Sequence, residues 1–472
     1  MAPEHFQFGG GLHETLLHPI VLVAMLLSVA LILFLPRKYV IVPVLFTSLI
    51  VPLGQQLVIG GFHLFVLRVI VLVGCLRMFW TAMTSPEEMV AGGFNSVDKA
   101  FTLWAIFRAL ATIILFATAA SVTGECGFLW DAFGGYFLLR FLIRDRDDIT
   151  RAAKVLAVVA IIVGCGMLNE KLRSQNVFGY LGGVPIIPEV RLGSIRAQGP
   201  FEHPILAGTF GGTLVPLFYW LWKVSKAKIL AVVGVVGSAV IAMSASSSTA
   251  ITAFAGGVFA ICFWPFRKKM RQIRWGIVIL LFSLNLVMKA PVWFLIARVD
   301  IISGSTSYQR AFLIDQFVHH FNDWWLVGTY ASDDWGADMW DHTNQFVAEG
   351  ETGGLITLVC FIAMISLSFG RLGRARKIVE GDTEKEWYLW ILGAALFAHI
   401  VGFFGISYFD QTRFYWFGVL AMISAATAPI LASQTVQEPS PTAARMSPRL
   451  ESLPAPSQYA ARDRGLRLQS AG

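Results

Sequence analysis

Charge is scarce in this chain. Only 14% of its 472 residues are Asp, Glu, Lys or Arg, while 56% are hydrophobic; an ordinary soluble protein carries about 25% charged residues. Such a chain cannot be solvated as a globule, so lipid must cover much of it. Cysteines are few. Cys75, Cys126, Cys165, Cys262 and Cys360 show no CxxC or Cys/His spacing, which excludes a recognisable zinc or redox motif and leaves them as small buried hydrophobes. There is no P-loop, dinucleotide fingerprint or zinc spacing, so neither ATP nor a nucleotide sugar has a visible binding domain. The net charge of +7 comes without a basic patch interleaved with aromatics, so nucleic acid is not an expected partner. No basic residue precedes the first apolar run and no small-x-small site follows it, so no cleavable signal peptide is expected.

What is present is a row of apolar runs. A bilayer span takes about 20 apolar residues. By that measure the spans fall near 17–35, 39–59, 62–83, 100–122, 125–143, 152–168, 204–222, 229–246, 249–265, 275–296, 353–370, 387–405 and 413–432. The stretch 229–265 is split at Ser244-Ala245-Ser246-Ser247-Ser248-Thr249, a run that suits a tight turn or a broken helix lining a cavity. Of the 37 Lys and Arg residues, 25 lie in alternate gaps, 7 in the opposite gaps and 5 inside spans. Cationic loops stay cytoplasmic. The N-terminus is therefore expected outside, the C-terminus inside, and two long loops, 169–203 and 297–352, outside.

The expected organisation follows: N-terminal spans in 1–168, a first outer loop 169–203, central spans in 204–296, a large outer loop 297–352, C-terminal spans in 353–432, and a disordered cytoplasmic tail 433–472 rich in Pro, Ser, Ala and Arg.

The two outer loops hold most of the residues suited to chemistry. The first carries Arg191 and Arg196, then Gly199, Glu202 and His203 just before Pro204 opens a span. Arginine offers a planar, permanently charged fork that pairs with phosphate oxygens, and free N–H groups at the start of the following helix favour an anion. The second contains Ser307-Tyr308-Gln309-Arg310 and Asp341-His342-Thr343-Asn344, with nine carboxylates and Trp324, Trp325, Trp335 and Trp340. An acidic, Trp-rich surface suits a sugar, aromatic faces covering its apolar side. His342 is the candidate proton carrier, with Asp341 beside it to orient the ring. Arg413 is the single cation of the last outer gap. Within the spans, Arg77 and Arg140 lie near the cytoplasmic ends and are expected to snorkel. Arg68 and Arg108 lie deeper, with Asp131 of a neighbouring span as one acidic partner.

These elements resemble a known family. Arg196-Ala-Gln-Gly-Pro-Phe-Glu-His203-Pro-Ile-Leu-Ala-Gly208 is similar to the R-x-x-G-x-F-x-H-P-N-x-x-A signature of the O-antigen ligase and polymerase superfamily. Ser244 to Thr249 resembles its hydroxyl-rich turn, and Ser307 to Arg310 the S-x-x-R start of its large periplasmic loop. Asp341-His342-Thr343-Asn344 with Glu351-Thr-Gly353-Gly354-Leu resembles its H-N…E-x-G-x-x-G-L element. The four stand in order over roughly residues 150–430. Ile205 replaces the Asn of H-P-N, Thr343 interrupts His-Asn, and the turn lacks the arginine often seen after its serine. The first departure looks like the exopolysaccharide branch rather than the lipopolysaccharide ligases.

The resemblance implies an all-α, polytopic integral membrane helical bundle of about 12–13 transmembrane helices, GT-C-like, in a bacterial inner membrane with two longer periplasmic loops. It implies an inverting polysaccharide polymerase or ligase that moves a glycan from a polyprenyl-diphosphate carrier to a glycan, a lipid A core or another hydroxyl acceptor, without metal or cofactor. Polysaccharide assembly proteins are possible partners beside the lipid bilayer. His342, Arg196 and Arg310 would be catalytic; Arg191, His203, Asp341, Asn344 and Arg413 would bind substrate. The alternative is a secondary transporter or flippase of lipid-linked oligosaccharide, for which repeat-related halves would be the sign.

Overall fold

In the computed structural model, the described residues are 15–59, 62–85, 88–224, 226–298, 307–336, 339 and 343–437. They form an almost wholly helical bundle. In chain order its helices are α1 (Pro19–Phe34), α2 (Arg37–Ile50), α3 (Val66–Thr84), α4 (Ser96–Phe116), α5 (Ala119–Leu129), α6 (Gly135–Leu142), α7 (Arg146–Arg173) and α8 (Pro204–Val224), then α9 (Lys228–Ser244), α10 (Ser248–Cys262), α11 (Met270–Val287), α12 (Ser307–His319), α13 (Phe321–Trp324), α14 (Gln345–Ile378), α15 (Thr383–Phe403) and α16 (Gln411–Gln437). Two antiparallel hairpins interrupt them, β1 (Gln56–Ile59) with β2 (Phe62–Phe65) and β3 (Glu189–Arg191) with β4 (Ser194–Arg196).

Among the described residues eight helical segments are long and apolar enough to cross a membrane, and α1, α9 and α10 are shorter apolar helices. The protein is therefore a multi-pass membrane protein. Large apolar side chains such as Ile20, Leu76, Phe79, Trp80, Ile114 and Val236 lie exposed around the bundle, where acyl chains would meet them. Helix α11 buries none of its residues although it is apolar. Cys126, Cys165 and Cys262 are exposed on this same kind of surface, so of the five cysteines only Cys75 is fully packed away as expected.

The alternation of cationic gaps has a structural counterpart. Arg37 pairs with Asp148 at 2.9 Å, Arg146 pairs with Glu384, Arg267 with Glu386 at 2.9 Å and Lys268 with Glu380 at 3.0 Å. Four cation-rich gaps thus meet one another at one end of the bundle. The polar loops discussed below gather at the other end.

Several expected boundaries move. The segment 39–59 is not one span: α2 stops at Ile50 and the chain turns into the β1–β2 hairpin, paired Gln56↔Phe65 to Ile59↔Phe62. The run 125–143 is one continuous helical path, Ala119 to Leu142, with a π-helical turn at Trp130–Gly134 inside it. Helix α7 extends to Arg173, so the first loop begins later than 169. The turn at Ser244–Thr249 is present: α9 ends at Ser244 and α10 starts at Ser248. Both helices pack on α8, whose face is almost wholly buried.

Two expectations about side chains are corrected. Arg140 does not snorkel. It is fully buried, its Nε and Nη2 donate to both oxygens of Asp98 (2.9 and 3.1 Å), and the Tyr136 hydroxyl bonds the same carboxylate. Asp98 also closes the capping box of α4 with Asn95, so one carboxylate serves a helix start and a buried cation together. The second correction concerns the tryptophans. Trp324 and Trp335 do not present a sugar-binding surface but fill a small core with Leu313, Phe317, Met339 and Val347. Trp324 stacks on Phe317 at 3.9 Å and its indole N–H donates to the Phe317 carbonyl. A long loop crowded with aromatics buries them against each other before it can offer them to a ligand. Trp325 is exposed; Trp340 lies outside the described residues.

Candidate functional site

The β3–β4 hairpin sets the first arginine. Leu192 and Gly193 both take positive φ (50° and 74°), the geometry of a two-residue hairpin turn that matches strand twist. That register puts Glu189 directly opposite Arg196. Arg196 Nη1 donates to both Glu189 oxygens at 2.8 and 2.9 Å. The guanidinium is buried, and its Nε has no hydrogen-bond partner among the described residues. Nη1 is held, and Nε keeps an unspent donor. Arg191 lies one residue from the turn and is exposed.

The hairpin is tied down from below. Lys171 at the end of α7 donates to Ser194 Oγ (3.1 Å), the Ile195 carbonyl and Ser246 Oγ. Ser246 sits at φ +46° in the α9–α10 turn, a conformation uncommon for a residue with a side chain. The Ala197 N–H donates to the Ser244 carbonyl at 3.1 Å. Beside it the buried Glu170 carboxylate accepts from the Gln198 and Gly199 amides at 3.1 and 2.9 Å.

The chain then reaches α8 through Glu202 and His203. The Ile205 N–H donates to His203 Nδ1 at 3.2 Å, so the ring caps the helix start. Packing and the nearby Arg196 charge push the imidazole down to about 4, which keeps it neutral at physiological pH. With Nδ1 accepting, the proton sits on Nε2, free to donate to an anion or hydroxyl. The Glu202 carboxyl keeps solvent access, yet packing and the Asp410 carboxylate raise it to about 7. Asp410, buried between α15 and α16, is itself raised to about 6 by burial, and accepts from the Thr412 N–H (2.8 Å) and the Glu202 N–H (3.3 Å).

Asp410 ends the irregular stretch 404–410. Arg413 Nε and Nη2 donate to the Tyr408 carbonyl, and Gln411 Nε2 donates to the carbonyls of Pro200 (3.0 Å) and Val51 (3.2 Å). Gln345, in the first turn of α14, accepts from the Tyr408 N–H at 2.6 Å and donates to Glu349 at 2.6 Å. Thus the residues just after His342 are linked through Tyr408 and Asp410 to Glu202 and His203.

Asn344 is buried and caps α14, its Oδ1 accepting from Phe346 N (2.9 Å) and Val347 N (3.3 Å). Arg310 is buried on α12. Its helix shares the Leu313–Phe317–Trp324–Val347 core with the start of α14. Asp341 and His342 lie outside the described residues. The Glu351–Gly354 element has a backbone reason. Gly354 takes φ +72°, and a Cβ there would stand 2.6 Å from the Leu326 carbonyl oxygen. The 325–329 segment crosses α14 at this kink, with Leu355 N donating to the Trp325 carbonyl and Thr329 N to that of Glu351, both at 2.8 Å.

A second polar group lies inside the bundle. Arg68 closes a bidentate pair with Asp131 (2.9 and 2.8 Å), the one candidate partner the sequence offered for Arg68 or Arg108. Arg108 stacks on Phe128 at 3.8 Å, and Arg413 stands 5.8 Å from the same ring. The charges of both bear on Glu125 and Glu349. Sequence reasoning missed Lys171, Glu170, Glu349 and Asp410. The Asn169-Glu170-Lys171 run at the end of a span and Asp410 beside Arg413 were the available signals. Among the described residues no cluster of His, Cys, Asp or Glu could hold a metal ion. No family model matches the chain, and no curated protein matches it.

Proposed function

We propose that this protein is a membrane glycosyltransferase of the O-antigen ligase and polymerase type, acting at the periplasmic face of a bacterial inner membrane. It would transfer a glycan from a polyprenyl-diphosphate carrier to a sugar or other hydroxyl acceptor. The observation that carries the reading is the unpaired, buried Nε of Arg196, beside neutral His203 at the start of α8. A guanidinium with a donor to spare pairs with a phosphate oxygen and stabilises charge that develops on a leaving diphosphate.

In this reading the bond from the anomeric carbon to the diphosphate oxygen breaks, and its electron pair leaves with the diphosphate. Arg196, Arg310 and Arg191 take up that charge, and His203 Nε2–H donates to the same group. The acceptor hydroxyl attacks the opposite face of the anomeric carbon, forming the new glycosidic bond and inverting the centre, while His342 takes its proton. The carrier supplies the activation, so the reaction calls for no nucleotide. The span count of 12–13 and the cytoplasmic tail belong to this reading too.

The charged group around Arg108 favours a second reading, a flippase for lipid-linked oligosaccharide, because ionisable residues inside a membrane bundle often mark a substrate pathway. The glycan profile of a deletion strain separates the two. Single-repeat glycan held on the carrier and facing the periplasm identifies a polymerase, and full-length polymer on the carrier identifies a ligase. Carrier-linked glycan held at the cytoplasmic face identifies the flippase and removes the transferase reading.

A further inference from the structure

We propose that the cation-rich end of the bundle holds an anionic phospholipid, its headgroup phosphate seated in an open cleft between the start of α7 and the α8–α9 connection. The cleft measures about 780 Å³ and is lined by Arg146, Asp147, Thr150 and Lys154 of α7 and by Val224 and Lys226 of the connection. Asp147, Thr150 and Lys154 follow at spacings of three and four, so one face of α7 forms a wall. Three cations thus line the cleft against one carboxylate. Arg146 is a fixed part of the wall: it pairs with Glu384 and lies 4.8 Å over the Trp220 ring. Lys154 and Lys226 are exposed, and among the described residues neither they nor Asp147 close an ion pair. Their two ammonium groups are the uncommitted charges of the cleft. A lysine ammonium binds phosphate as a point charge, and clustered cations at a membrane surface draw anionic lipid.

The surroundings select a lipid rather than a soluble anion. Lys154 stands eight residues after Arg146, about 12 Å along α7 at 1.5 Å per residue, and so within the expected span 152–168. A lysine exposed on a span must lift its charge to the headgroups or meet a negative one there. Past Lys154 both neighbouring helices leave apolar side chains exposed, Val158 and Ile162 on α7 and Ile229, Val232 and Val236 on α9. The two helices lie close because small residues meet between them: a Cβ on Gly237 would stand 2.8 Å from the Ala160 carbonyl oxygen. An acyl chain on this apolar surface brings its phosphate to the cleft. Trp222 is exposed, with the Lys223 ammonium 5.5 Å from its ring, the aromatic and cationic pairing of headgroup level. The cleft is remote from the proposed donor site. Lys171, which holds the Arg196 hairpin, lies 25 residues beyond Arg146, about 37 Å along α7. The bound lipid is therefore distinct from the glycan donor, and the inference does not depend on glycosyl transfer.

The test titrates phosphatidylglycerol, phosphatidylcholine, a long-chain polyprenyl diphosphate and glycerol phosphate onto the purified full chain in detergent, counting bound molecules by native mass spectrometry. Wild-type protein is expected to bind phosphatidylglycerol at least about tenfold more tightly than phosphatidylcholine or glycerol phosphate. Lys154→Gln with Lys226→Gln should weaken phosphatidylglycerol by about tenfold or more and leave phosphatidylcholine unchanged. Both lysines are exposed, so this double variant should unfold at the wild-type temperature. Lys269→Gln with Arg271→Gln removes two other exposed cations, at the start of α11, and should stay within about threefold of wild type. Unchanged phosphatidylglycerol affinity in the Lys154 and Lys226 variant would overturn the proposal, as would an equal loss in both double variants. Glycerol phosphate binding as tightly as phosphatidylglycerol would overturn it in favour of a soluble anion. Polyprenyl diphosphate falling more steeply than phosphatidylglycerol in the Lys154 and Lys226 variant would overturn it in favour of the glycan donor.

Discussion

Lys171 and Ser246 are hydrogen-bonded across 75 residues of chain, and through this contact the arginine hairpin is pinned to the α9–α10 turn. The ammonium also holds Ser194 and the Ile195 carbonyl, so one cation fixes the strand that presents Arg196. Replacing Lys171 by Met keeps the length and removes three donors. Amide hydrogen exchange over 194–199 should accelerate by about tenfold, the effect of losing roughly one net hydrogen bond. Exchange unchanged in that segment would mean that the Ser244 and Glu170 contacts hold the hairpin without Lys171.

The Arg140–Asp98 pair should be the most sensitive polar contact for stability. Arg140→Leu leaves Asp98 buried without its cation, which costs about 3–5 kcal/mol. The purified variant should unfold at a clearly lower temperature than wild type. Removing both charges, as Arg140→Leu with Asp98→Asn, should recover part of the loss. A single variant as stable as wild type would show that Tyr136 and the α4 cap satisfy Asp98 unaided.

Glu202 and Asp410 make stability fall as pH rises. Their folded values, about 7 and about 6, lie above the ordinary carboxylate range, so the folded chain holds protons that the unfolded chain releases. Stability from these groups is complete below about pH 4 and is lost as pH rises through 6 to 7. His203 acts in the opposite sense: its lowered value favours the folded state as pH rises from about 4 to 6.5. Comparing melting temperatures of wild type and Asp410→Asn from pH 4 to 8 separates the two. The variant should gain on wild type as pH rises, and a constant difference across that range would contradict the assignment.

The helical frame was legible because it rests on repeated apolar composition and on charge placed in alternate gaps. Ion pairs such as Arg37–Asp148 and Arg267–Glu386 join those gaps at one end. The Arg68–Asp131 pair was legible for a related reason, since a buried cation needs an anion and few stood near it. The capture of Arg140 by Asp98 was not, because Arg140 has a ready reading as a snorkelling cation at a span end and Asp98 an adequate local one as the first turn of α4. The β1–β2 hairpin was hidden by its apolar residues, which scan like continuing span. Trp324 and Trp335 misled because a Trp-rich loop reads the same whether the rings face a sugar or each other. Glu349 and Asp410 gain their surroundings from helices far apart in sequence, which no local pattern carries.

His342 should govern chemistry rather than binding. His342→Ala is expected to lower kcat by about 100-fold or more with little change in the affinity for the lipid-linked donor, the signature of a lost proton acceptor. Donor affinity falling while the rate at saturation holds would make His342 a ligand.

The most direct test is transfer by purified protein. The full chain would be reconstituted with a polyprenyl-diphosphate-linked oligosaccharide and a glycan acceptor, following the release of free polyprenyl diphosphate together with growth of the glycan. Wild-type protein should yield both products in equal amounts, and Arg196→Ala and Arg310→Ala should yield neither while remaining folded in the membrane. Release at wild-type rates from both arginine variants would contradict the account, as would a wild-type protein that leaves the donor intact with every hydroxyl acceptor offered.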